Sequence, residues 1–352
     1  MVDRAVNRTA LPGRLPASDD ATDLVRNSPV VDLVVGTALF RDLDADRWRA
    51  AGLNVVGLTI ATTWPDLGGS LSRWHFRSLG MPASAIGSNM AIAGWLIERV
   101  ARWCAESAGE LVIVRSGDDL GACLEPGGPV GILLGVQGGH VLDGDPSNIA
   151  RLREAGVRMF APAHVMDNGL VGSGTGRSSG GLTGYGREAI AEVEAQSIIV
   201  DLAHMSVAGI EQALPLLRRP FVLSHTGLTD ASGGRSRWRR YSPATRNIPA
   251  SLAAQVGAAG GLIGIVLSTE LLGGSSLDAA VRTIRLAVEC ASEEQVAIGS
   301  DMDGALKMLI DVEGLPALVD ALLSAEITSE SIRRVLGQNA AELLGSYLTT
   351  TA

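Results

Sequence analysis

Two histidines stand just after short apolar runs, His204 in IIVDLAHMS and His225 in FVLSHTG. A third, His164, follows VRMFAPA, and Asp301 and Asp303 close the run VAIGSDMDG. Gln137 ends GILLGVQ, three residues before His140. Imidazole titrates near neutrality and also ligates metals, so such a set suits proton shuttling or a metal-assisted hydrolysis. A single histidine past a strand is ordinarily a packed loop residue. Three at successive strand ends, in a chain with 5 histidines, point to a shared site. What is missing matters as much. The first apolar run, PVVDLVVGT, supplies only Asp32, and Gln137 stands where a carboxylate would serve a metal. There is no nucleophile elbow, and none of the cysteines lies at an expected strand end, which disfavours covalent catalysis.

The elements that must position these residues recur along the chain. PVVDLVV, NVVGLTI, ELVIV, PVGILLGV, VRMFAPA, SIIVDLA, PFVLS, GLIGIVL and VAIGS are continuous apolar runs rich in Val, Ile and Leu. Such runs fit strands buried on both faces, as in a parallel sheet. Helical periodicity lies between them, most plainly in AIAGWLIERVARWCAESA and LDAAVRTIRLAVECASEE, and two further helices are expected at the C-terminus. This alternation predicts an α/β fold, and the number of units favours a closed (β/α)8 TIM barrel over an open sheet. In such a barrel the site lies at the C-terminal ends of the strands, where Gln137, His164, His204, His225 and Asp301 fall. No G-x-G-x-x-G turn follows the first strand, and the glycine-rich stretch 172–181 reads as a flexible loop. Residues 1–27 read as a polar arm of low order and 28–352 as a single barrel domain. The loops at 62–85, with Trp64, Trp74 and His75, and at 165–183 are long enough to shape or cover a pocket. His75 and His140 read as structural.

Composition narrows the function further. The net charge of −9 argues against a nucleic-acid partner. The loop 233–242, GRSRWRRYS with its preceding glycine, is a local basic exception that reads as solvated, with an anion-binding lid as the sharper alternative. No apolar run approaches the roughly 18 residues of a membrane span, and the first twenty residues lack the apolar core of a secretory signal. Cys104, Cys123 and Cys290 are widely spaced and odd in number, which suits inert thiols in a reducing cytoplasm.

Taken together, GVQGGH, LTGYGREAIAEVEAQSIIVDLAHMS, SHT, RNIP, IGSDMDG and RRVLGQNAAELL resemble the membrane (renal) dipeptidases, the M19 metallopeptidases of the amidohydrolase superfamily. The resemblance runs from about residue 28 to residue 346 and implies a metallo-dependent hydrolase barrel, with two zinc ions, that cleaves dipeptides. It also implies a homodimer. Of the family's five metal ligands, His204 and His225 are present. The bridging glutamate is Gln137, and the family's Asp-Gly-His-x-Asp reads Asp32-Leu33-Val34-Val35-Gly36, so two further ligand positions hold Val34 and Gly36. On the substrate side, His164 matches the histidine that faces the tetrahedral intermediate and Asp301 the catalytic proton carrier. Arg246, followed by Asn247 in RNIP, matches a carboxylate-binding arginine, across a longer spacing from His225 than the family's.

Valine and glycine side chains cannot hold zinc, and a glutamine offers only a neutral oxygen. Three readings follow. In the first, the barrel is a metal-independent enzyme needing no cofactor, with His164, His204, His225 and Asp301 catalytic and Arg246, Gln137 and Asn247 on a small amino-acid- or dipeptide-like substrate. Elimination, isomerisation, cyclisation and assisted hydrolysis all fall within its means. In the second, one zinc at His204 and His225 sustains an amide hydrolase. In the third, the chain binds a small ligand or a protein without turning anything over.

Overall fold

Strands buried on both faces have no solvent side to select polar residues, so they read as unbroken apolar runs and need helices around them. The computed structural model describes residues 9–36, 43–62, 76–232, 242–304 and 306–348, and among these the expected runs form strands. They are β2 (Val31–Val35), β3 (Val55–Ala61), β4 (Leu111–Ile113), β5 (Val130–Gln137), β6 (Met159–Ala161), β7 (Ile199–Val200), β8 (Phe221–Thr226), β9 (Gly261–Ile265) and β10 (Val296–Ile298). All pair in parallel, in the order β7-β6-β5-β3-β2-β10-β9-β8. Past the end of β7, Asp201 bridges to Val222 and Leu202 N–H donates to Val222 O at 2.8 Å, which brings the two ends of the path together. The result is a nearly closed eight-stranded barrel. ELVIV is not one of its staves: β4 pairs only with the first half of β5, and β6 takes over the same edge at Gly135.

The barrel is filled by Val31, Leu33, Val55, Leu133, Met159, Ile199, Val222, Leu262 and Ala297. The last helix, Asn339–Leu348, plugs its lower end with Ala340, Leu343, Leu344, Tyr347 and Leu348. Tyr347 could not be buried there with an idle hydroxyl; it donates to Pro220 O at 2.6 Å. Among the described residues no helix is long and apolar enough to cross a membrane.

Two expectations change. The N-terminal arm is ordered from Thr9: β1 (Thr9–Leu11) pairs in parallel with β11 (Met308–Ile310). The helix Asp19–Arg26, capped by Ser18, buries Ala21, Leu24 and Val25. The arm reads as polar because only one face of a short amphipathic helix is apolar. The glycine-rich stretch 172–181 is also ordered, for reasons that belong to the site. Trp64, Trp74, His75 and nearly all of the basic loop lie outside the described residues.

Leu344 is fully buried in the plug. Leu344→Ala should cost about 2–5 kcal/mol, seen as a lower urea midpoint at unchanged slope. A loss below measurement error would mean that the C-terminal helix does not seal the barrel.

Candidate active site

The barrel delivers the expected residues to one rim. Gln137 is the last residue of β5, His225 lies within β8, and His164, His204 and Asp301 sit in the turns just past β6, β7 and β10. His204 and Asp301 adopt left-handed backbone conformations, with φ of 66° and 60°. Non-glycine residues rarely do so, and such strain is held where surrounding structure enforces it.

Three histidines form an array. The rings of His164 and His204, and of His204 and His225, meet edge to face with centroids 4.8 Å apart. His204 Nε2 and His225 Nε2 are 2.9 Å apart, so one must donate to the other. His225 Nδ1 lies 2.9 Å from Ser224 Oγ, which donates to Asp201 Oδ2 at 2.6 Å. Burial, then the neighbouring Arg246 charge, holds His204 and His225 well below the usual imidazole range and His164 down to about 3. All three are therefore neutral at pH 7. His140, read as structural, joins the edge of the array: its charge would also lower His164. Gln137 Nε2, His140 Nδ1, His164 Nδ1 and His204 Nδ1 are buried and lack hydrogen-bond partners among the described residues. Buried polar atoms are rarely left so, and four at one rim suit a ligand.

The carboxylates divide by environment. Asp301 is pushed up to about 7, chiefly by burial, with Arg246 opposing and Asp32 reinforcing the rise. Asp32 is raised to about 6, again chiefly by burial, against hydrogen bonds from Ser300 and Val34. Its Oδ1 accepts from Val34 N at 3.1 Å and Ser300 N at 2.9 Å, and its Oδ2 from Ser300 Oγ. Asp201 repeats this construction with Ala203 N, Ser224 N and Ser224 Oγ. Asp201, Ser224 and Ser300 escaped the sequence reading, although VVDL and IVDL, and the serines before His225 and Asp301, are signals for them. Asp303 turns away, 3.6 Å from Arg47.

Arg246 ends the short helix Pro243–Arg246, buried, with Nη2 donating to His225 O at 2.7 Å. Its charge acts on His164, His204, His225, Asp201 and Asp301. Asn247 does not match the ligand-binding expectation. Its amide donates to Leu271 O at 2.8 Å and accepts from Gly227 N at 3.2 Å, so it ties loops together. The 165–183 loop is pinned to the site. Asp167 accepts from Ser173 N and Ser178 N, both at 2.8 Å, and Gly174 N donates to His204 O at 2.9 Å. A Cβ at Gly174 would strike Thr245 O, so glycine here permits close packing rather than flexibility.

With this geometry in view, the comparisons with known proteins become specific. The family model described as membrane dipeptidase (peptidase family M19) matches residues 20–348. The chain belongs to the M19 membrane dipeptidase family. Solved structures share its fold. An amidohydrolase from Pseudomonas aeruginosa superposes with a TM-score of 0.74 at 19% identity, over 93% of this chain and 99% of that one. The probable dipeptidase PvdM from Pseudomonas aeruginosa gives 0.75 at 17% identity, over 94% and 98%. A metallopeptidase from Rhodobacter sphaeroides, liganded with a phosphinate mimic of the dipeptide L-Ala-D-Ala, gives 0.72 at 20%, over 90% and 98%.

At the positions that M19 resemblance gives to a two-zinc centre, the chain offers two imidazoles, a neutral amide, a valine and a glycine. Val34 packs among the apolar side chains that fill the barrel. At Gly36 a Cβ would lie 2.9 Å from Gly304 Cα, so the backbone past β10 occupies the space a side chain would need. That approach is held by Gly36 N donating to Met302 O and Asp301 N donating to Val34 O, both at 2.9 Å. Gln137 brings no charge to hold two close dications. Among the described residues no group of three or more His, Cys, Asp or Glu side chains is placed to hold a metal ion.

Two outcomes follow. Gly36→Ala should destabilise the fold by about 1–3 kcal/mol through overpacking, measured by urea denaturation; a neutral result would show room at this position. Asp301 has an ordinary pKa of 3.8 unfolded and about 7 folded. Burying it therefore costs nothing below the unfolded value, and stability is lost as pH rises towards 7. The melting temperature of the wild type should fall against that of Asp301→Asn between pH 4 and 7. Parallel curves would contradict a raised Asp301.

Proposed function

We propose that this M19 family member carries out proton-transfer chemistry on a small amino-acid- or dipeptide-like compound without a two-zinc centre. One observation carries the reading. The positions that M19 resemblance gives to ligands on β2 hold Val34 and Gly36, the latter against Gly304, while His164, His204 and His225 form one array under the Arg246 charge, which also reaches Asp301. A carboxyl pushed up to about 7 can take or give a proton near neutrality, and the neutral imidazoles of the array offer lone pairs to a substrate. In this reading His204 and His225 are the acid/base pair and Asp301 carries a proton to or from the substrate. His164 polarises a carbonyl, Arg246 contributes the charge for a substrate carboxylate, and Gln137 offers its unpartnered amide to a polar group. The dipeptide mimic held by the Rhodobacter sphaeroides relative supports the size and class of substrate. The reading includes a cytoplasmic setting and a homodimer; buried Cys123, its thiol pushed up to about 12, suits an inert structural role.

A single zinc is the second reading, and one observation favours it. The Nε2 atoms of His204 and His225, 2.9 Å apart, need only a small separation to reach the roughly 3.3 Å span of two nitrogens on one tetrahedral zinc with bonds of about 2.0–2.1 Å.

Elemental mass spectrometry of the tag-free protein, before and after incubation with zinc, separates these readings. The proposal expects well under one zinc per chain, and turnover of a dipeptide-like compound that survives chelation and falls about 10²-fold or more in His204→Ala. One tightly held zinc, lost in His204→Ala together with activity, would replace it with a mononuclear hydrolase. Neither metal nor turnover across a broad dipeptide screen would leave a binding protein.

A further inference from the structure

We propose that Arg115, Arg153 and Arg158 form an anion-binding site on the outer wall of the barrel, which takes a small organic phosphate. Its phosphate would lie against the three guanidinium groups and its apolar body in the cavity beside Cys104. The inference is independent of the acid/base reading above and concerns a different part of the molecule.

The site arises from an irregular seam in the sheet. β4 ends where β6 begins along one edge of β5: Val114 N donates to Ile132 O at 3.0 Å and Arg158 N to Leu134 O at 2.9 Å. Met159 points into the barrel, so Arg158 before it points outward. Its buried guanidinium fills the seam. Nε and Nη2 donate to Arg115 O at 3.2 and 3.0 Å, and Nη1 to Arg153 O at 3.1 Å and Val157 O at 3.0 Å. All these acceptors are neutral carbonyls, and one Nη2 N–H is left over. Arg115 folds back over the same turn, for a Cβ at Gly156 would lie 2.9 Å from its Nε. Gly156 stands between Arg153 and Arg158, so three cations share one turn.

No carboxylate answers them. Among the described residues none of the three forms an ion pair. The charge of Asp119 reaches Arg115, yet its Oδ2 already accepts from Arg115 N, Ser116 N and Ser116 Oγ, each at 2.9 Å. Glu194 is taken by Arg218 N and Arg219 N, and Arg153 Nε finds only Gln196 O, at 3.0 Å. A buried charge among like charges is costly unless an anion joins it. Arg115 also lines a cavity of about 270 Å³ with Ala101, Cys104, Leu111 and Ile113. Burial, against the Arg115 charge, pushes the Cys104 thiol up to about 11, so it supplies no anion at pH 7. The cavity therefore offers an apolar body a place beside an anionic head. A phosphate monoester carries about 1.5–2 negative charges at pH 7 and so offsets more of the cluster than a carboxylate would. Arginine suits such an oxyanion because its planar fork can bond two oxygens at once.

The test is isothermal titration calorimetry of the full chain with inorganic phosphate, phenyl phosphate and benzoate at constant ionic strength. Wild type should bind phenyl phosphate more tightly than either of the others. Arg115→Gln and Arg153→Gln alter side chains that are not fully buried, and each should weaken phenyl phosphate about tenfold or more. Ala101→Leu, which narrows the cavity, should remove the preference for the phenyl group and leave phosphate binding in place. No saturable binding by the wild type would overturn the proposal, as would affinity unchanged in both arginine variants. Benzoate binding as tightly as phenyl phosphate would overturn the phosphate class. Affinity lost in Arg246→Gln but kept in Arg115→Gln would place the anion at the rim and overturn the site. If Arg246→Gln fails to fold, the Arg115 and Arg153 variants still decide.

Discussion

Burying a carboxylate between two parallel strands is costly unless its lone pairs are filled, and Asp32 and Asp201 fill theirs in the same way. Asp32 lies within β2 and Asp201 just past β7. Each accepts the N–H two residues ahead, and the N–H and hydroxyl of a serine on or just past the neighbouring strand. The two serines directly precede His225 and Asp301. Asp32 and Ser300 lock β2 to β10 and set Asp301; Asp201 and Ser224 lock β7 to β8 and set His225. The rim residues that could do chemistry are thus not carried on free loops. They hang from two buried polar clamps, and the closure of the barrel and the geometry of the site are the same set of bonds.

This arrangement also governs the electrostatics. Dications would lower the pKa of nearby carboxyls and hold imidazoles as ligands. Arg246 acts across this rim: its guanidinium donates to His225 O and its charge reaches three histidines and two aspartates. One buried cation can compensate about one buried anion. Burial raises both Asp201 and Asp301; three donors oppose the rise at Asp201, and Asp301 is left at about 7. Division of labour between two acidic groups is a general route to acid and base in one site.

Much of this was legible in the residues. The staves are unbroken apolar runs because both faces of the barrel wall are buried, and the rim residues follow them directly. The M19 motifs lie in the same strand-end segments, so fold and family were read from the same places. Other features carry no local mark. β1 pairs with β11, at the other end of the chain, and three residues show no periodicity to reveal it. Glycines in 172–181 are compatible with a slack loop or with close packing, and only the neighbouring Thr245 and His204 decide for packing. Asn247 follows Arg246 in the motif, yet faces Leu271 and Gly227, because adjacent residues past a helix end point in different directions. Asp201 and Ser224 were hidden by distance in sequence; their pairing exists only once β7 lies against β8.

The altered ligand positions are better understood as one structural change than as separate losses. Replacing a ligand at position 34 by valine removes a donor, but a cavity beside it would still admit water. The filling of the barrel extends over Val34, and the backbone of β2 continues past its end to meet Met302 and Gly304. Gly36 is what permits that approach, since any Cβ there meets Gly304 Cα at 2.9 Å. The missing donors and the close approach of β2 to the chain past β10 fall at the same stretch, Val34 to Gly36. On the histidine side, His204 Nε2 and His225 Nε2 partner each other and His225 Nδ1 meets Ser224 Oγ, while His204 Nδ1 has no partner among the described residues. One side of the rim is thus closed by apolar packing, and the other keeps buried nitrogens open to a ligand.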